Sequence, residues 1–136
     1  MRRPIAAALA ALLLAGTATA SDARPPLREV KEIDGALLAV AIADEIRTRC
    51  DTIDARMLRA LATLNRLENR ARDLGYTKSE IDAYVNSKDE KARIRALGER
   101  YVHQQGADPE SLADICDLGR REIARGSAIG ALLREK

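Results

Sequence analysis

The chain has 136 residues with 23 basic and 21 acidic side chains, one histidine, three tyrosines and no phenylalanine or tryptophan. A core without large aromatics must be filled by Leu, Ile, Val, Ala and Met, and it offers little for stacking a base, a sugar or a flat cofactor. The formal charge of +2 resides in Arg2 and Arg3, and beyond residue 20 the two signs balance at 21 each; a nucleic-acid partner, which requires a surplus of Lys and Arg to displace phosphate counterions, is not expected.

The first element reads as an export leader spanning residues 1–20. Arg2-Arg3 forms a positive end, Ile5 to Ala15 contains only Ile, Ala and Leu, and Gly16-Thr17 loosens the helix before cleavage. Ala18 and Ala20 supply the small residues a signal peptidase accommodates, so the mature chain is expected to begin at Ser21. The apolar run of about 11 residues is too short for a stable membrane span, which takes about 20. No cysteine follows the cleavage point, so a lipid anchor is not expected either. The product is expected in the periplasm.

The mature part suits one domain. Residues 21–27 include Arg24-Pro25-Pro26 and read as a flexible arm; residues 28–136 read as a single helical domain. A first helix is predicted from about Arg28 to Arg49, and its uncharged middle from Gly35 to Ala43 marks the most buried helix of a bundle. The second carries Ile53, Met57, Ala60, Leu64, Leu67, Ala71 and Leu74 at alternating spacings of about four and three, a continuous seam widened by Leu58 and Leu61. Asp51 is its expected cap and Gly75 its left-handed stop. A partner helix is one cause of such a seam, an intramolecular core face the commoner one.

Capping boxes at Thr77-Lys78-Ser79-Glu80 and Ser87-Lys88-Asp89-Glu90 open a short and a longer helix, the latter stopped by Gly106. Asp108-Pro109-Glu110 is expected to open the last helix, with Leu112, Ile115, Cys116 and Ile123 inward and Gly126-Ser127 breaking it. No stretch shows sustained two-residue alternation. The predicted fold is all-α, a small bundle of four to five helices.

Cys50 and Cys116 form an even pair in an oxidising compartment, which favours one disulfide over two buried thiols. His103 is the only histidine, and one imidazole cannot build a zinc site; a solvated surface position is expected. Asp34 and Asp44 flank the apolar segment, either at its solvent edge or paired with arginine. The arginines at 66, 70, 72, 93, 95 and 100 are interleaved with Glu68, Asp73, Glu90 and Glu99, so local neutralisation is expected rather than an anion-binding face. The tail from Gly126 to Leu133 is small, apolar and terminal: Ile129, Leu132 and Leu133 either dock a partner chain or close the bundle's own end.

Leu27-Arg28-Glu29-Val30, the Cys50-Asp51 junction, the run from Ala71 to Tyr76 and the closing run from Gly126 to Leu133 resemble a family of small exported alphaproteobacterial proteins of unknown function. The resemblance spans the mature chain and implies export, a helical domain and two cysteines, with no activity and no catalytic residue to carry over. Some members bear a respiratory NADH dehydrogenase label. Two cysteines cannot hold the cluster of that enzyme's small iron–sulfur subunit, which takes four, so the label implies association rather than electron transfer.

The expectation is a non-enzymatic interaction or accessory protein with an unidentified protein partner in the cell envelope, carrying no catalytic, metal or cofactor residue. The alternatives are an accessory protein of a respiratory NADH dehydrogenase and a periplasmic stress or immunity-type binding protein. A hydrolase would require a polar-lined pocket at Asp44, His103 or Arg100.

Overall fold

The computed structural model describes residues 23–136, so Ala18, Ala20 and Ser21 lie outside the described residues. A 3-10 turn at Leu27–Glu29 leads into helix α1 (Lys31–Arg49); strand β1 (Ile53–Ala55) and helices α2 (Met57–Asp73), α3 (Lys78–Asn86), α4 (Lys88–Gln104) and α5 (Leu112–Arg125) follow. A second 3-10 turn (Gly130–Leu132) and strand β2 (Leu133–Glu135) end the chain. The fold is an α-helical bundle of five helices, as the capping and periodicity predict.

Helix α1 packs against α2, α4 and α5. With little charge in its middle it can face three neighbours, and Ile33, Ala39, Ile42, Ala43 and Ile46 are buried there. The principal core joins Ala39, Ile42, Ala43 and Ile46 to Cys50, Ile53, Val102, Ile115, Leu118 and Leu133. A smaller core of Leu27, Ile33, Leu67, Ala71 and Ile81 fills the α2–α3 end. Gly119 lets α5 approach closely: a Cβ there would lie 2.7 Å from side-chain carbons of both Ile46 and Ile53.

Cys50 and Cys116 are joined as a disulfide with a Cα–Cα distance of 5.6 Å, tying the end of α1 to the first turns of α5. The sequence separation of 66 residues makes the cross-link worth about 4 kcal/mol on the chain-entropy account.

The structure differs from the sequence reading at several joints. Ile53 belongs not to α2 but to β1, which pairs antiparallel with β2 in the register Ile53–Glu135, Asp54–Arg134, Ala55–Leu133. Three residues are too few for alternation to show in sequence. Helix α2 starts at Met57 after Arg56, without a side-chain cap, so Asp51 does not cap it. Helix α5 is capped by Ser111, whose hydroxyl accepts from the Asp114 amide; Asp108 instead accepts from the Glu110 amide in a preceding turn. The Thr77–Glu80 capping box is complete, and Ser87 accepts from the Glu90 amide. The Glu90 carboxylate, however, is engaged by Arg28 and Arg93.

The arm is docked from Arg24 onward rather than flexible. Its guanidinium forks onto both Glu80 oxygens at 2.9 Å and lies 4.2 Å from the Tyr76 ring centroid. The Tyr76 hydroxyl donates to the Pro25 carbonyl at 2.8 Å. Leu27 then roots the segment in the smaller core.

Candidate functional site

The tail resolves first. Ile129, Leu132 and Leu133 are all buried in the principal core. The docking reading of these three residues gives way to the closing one. The small residues have a geometric reason: the Gly130 turn lies so close to α5 that a Cβ would overlap the Glu122 carbonyl.

A groove of about 560 Å³ runs between α1 and α4. Ile42, Ile46, Val102 and Ile115 form its apolar floor, and Asp44, Glu45, Glu99, Lys91 and Arg95 stand among its lining. Asp44 is exposed, and its carboxylate accepts from Arg47 Nε at 2.8 Å. Arg100 and His103 are exposed and do not line this groove. Of Asp44, His103 and Arg100, Asp44 alone lines the groove, and it is paired with Arg47.

Among the described residues, two carboxylates are buried, Glu90 and Glu122. Glu122 accepts from the Tyr101 hydroxyl at 2.6 Å, from Arg125 and from the Ser127 hydroxyl. Burial, and then the neighbouring Glu122 carboxylate, push the Tyr101 phenol above its ordinary range. The same carboxylate raises the Arg125 guanidinium. Glu90 is held by Arg28 and Arg93, and Arg93 also bridges to Asp34. Among the described residues, no buried side-chain nitrogen or oxygen lacks a partner. These clusters are struts: Glu122 and its partners lock the α5 exit to α4, and Glu90 with Arg93 locks α4 to α1. In sequence Glu122 and Arg125 look like one more surface pair at i,i+3, because nothing local shows that Tyr101 and Ser127 close over them.

The feature that remains open is on α2. Leu67 and Ala71 of the predicted seam are buried and Ala60 is half-buried, but Met57 and Leu64 are exposed together with Leu58 and Leu61. Leu58 is 84% exposed and Leu61 52%. The seam thus serves the core at its C-terminal half and is bare at its N-terminal half. The arginines divide the same way. Arg70 pairs with Glu32 and Arg72 with Glu68, as local neutralisation predicts. Arg59 and Arg66 make no ion pair among the described residues. They line a shallow cavity of about 320 Å³ with Thr63, Ala62, Ala128 and Leu132.

These features define a small disulfide-linked helical domain whose buried carboxylates are tied into the frame and whose main group of exposed large apolar side chains lies on the N-terminal half of α2. Residues 25–134 match the model of a family of unknown function, DUF5333, and the chain belongs to that family. It matches no curated protein and no solved structure.

Proposed function

We propose that this is an exported, non-enzymatic interaction protein of the periplasm, presenting the N-terminal half of α2 to a partner in the cell envelope. The observation that supports this reading is the run of large apolar side chains at Met57, Leu58, Leu61 and Leu64, left uncovered on a domain with two filled cores. Burying one such side chain is worth about 1.5–3 kcal/mol, so a bare group of four is costly in water and favourable against a partner. The non-enzymatic part rests on the two buried carboxylates, both of which are fully engaged by arginine, tyrosine or serine. The cysteine pairing fits an oxidising compartment.

Cross-linking in intact cells followed by purification from the envelope tests the reading. Recovery of a discrete cross-linked species, lost in Leu58→Asp/Leu61→Asp, is expected. Recovery of wild type only as free monomer, with none of it retained on the envelope fraction, would overturn it. A respiratory NADH dehydrogenase would be recognised among the cross-linked species by its own subunits.

A further inference from the structure

We infer that the bare face of α2 lies on an anionic bilayer surface; this rests on the reading of that face as an interaction site and names its partner. From Arg56 to Leu67 the chain contains three arginines and no acidic residue. The same twelve residues include Leu58, the most exposed large apolar side chain described, with Met57, Leu61 and Leu64 beside it. An exposed apolar helix edge next to unneutralised guanidinium groups is the composition that adsorbs in a headgroup layer: leucines enter the acyl boundary while arginines meet phosphates.

The surroundings keep that charge available. The nearest acid before the stretch, Asp54, faces Arg134 and Lys136 at 3.6 and 3.8 Å. The nearest after it, Glu68, is held by Arg72 at 2.8 Å. Arg56 is pinned by its side chain to the Leu133 carbonyl at 2.9 Å, which leaves its charge uncompensated by any carboxylate described. Arg59 and Arg66 are two turns apart and line one cavity in which no acidic side chain takes part. A second copy of the chain would bring like charge against like charge at this stretch. Leu58, in the first turn of α2 and almost fully exposed, is a protrusion rather than a groove, which suits a deformable planar partner better than a rigid one. No described helix is long and apolar enough to cross the bilayer, so the contact is adsorption.

The test uses the disulfide-bonded chain from Ser21, so that the leader cannot contribute, in co-sedimentation with vesicles of phosphatidylcholine containing phosphatidylglycerol. Binding to these vesicles, little binding to pure phosphatidylcholine and release by high salt are expected. Arg59→Gln/Arg66→Gln should weaken partitioning roughly tenfold or more, and Arg59→Lys/Arg66→Lys should restore most of it. Leu58→Asp/Leu61→Asp should abolish binding while leaving the melting curve unchanged. Equal sedimentation of wild type and that leucine variant, or no binding of wild type to anionic vesicles, would overturn the inference. If vesicles fail but the leucine variant still loses a cross-linked envelope protein, α2 remains an interaction face with a protein occupant. If neither readout responds to the leucines, the interaction reading fails too.

Discussion

Gly130 is packed against the Glu122 carbonyl and the Ile123 amide, main-chain atoms that cannot swing aside. Gly130→Ala is expected to cost about 3 kcal/mol in urea denaturation, at the upper end of overpacking, because the closing turn must lift from α5. Glu122→Ala should cost about 2–3 kcal/mol by the same measurement. It strips a fully buried acceptor from the Tyr101 hydroxyl and the Ser127 hydroxyl, while half-exposed Arg125 can turn to water. Glu80 supplies a pH dependence. Its carboxyl is lowered from 4.5 to about 2, first by the Arg24 guanidinium and then by the Thr77 backbone N–H. A group lowered on folding stabilises above its unfolded value, and that stabilisation is lost as pH falls from about 4.5 towards 2. In a melting-temperature series over that interval, wild type should therefore lose stability more steeply than Arg24→Gln. Parallel curves for the two proteins would contradict the assignment. The pair is exposed, so added salt should narrow the difference.

At the scale of elements, α2 divides into a core half and a surface half. Leu67→Ala should lower stability by about 2–4 kcal/mol, whereas Leu58→Asp should stay within about 0.5 kcal/mol; denaturant midpoints separate the two. The sequence shows one seam because both halves share the same spacing, and periodicity reports amphipathicity without saying what covers the face. The helices themselves were legible where the signal was local. Thr77 with Glu80 announces α3, and Gly75, Gly106 and Gly126 have the positive φ that ends a helix. Joints fixed by distant partners were not legible. Ile53 becomes a strand residue because β2 returns from the far end of the chain to pair with it. Similarly, Arg24 is anchored because Glu80 and Tyr76 lie on its path. The candidate site shares this limit: the tail looked partner-like for its apolar composition, while the face actually left open was counted as core.

For the molecule as a whole, two small cores without phenylalanine or tryptophan are clamped by one cross-link between α1 and α5. Its contribution of about 4 kcal/mol is comparable with the entire net stability of many domains of this size. Under the proposed export, the disulfide connects compartment to fold: an oxidising destination lets the cross-link form, and the folded domain then displays α2. Central to the account is that α2, not the tail, carries the contact in the envelope. The most direct measurement places a photo-reactive residue at position 61, and separately at exposed position 120 on α5, in the exported protein within intact cells. The account predicts strong cross-linking to an envelope component, lipid or protein, from position 61 and little from position 120. Equal yields from both positions, or none from position 61, would contradict it.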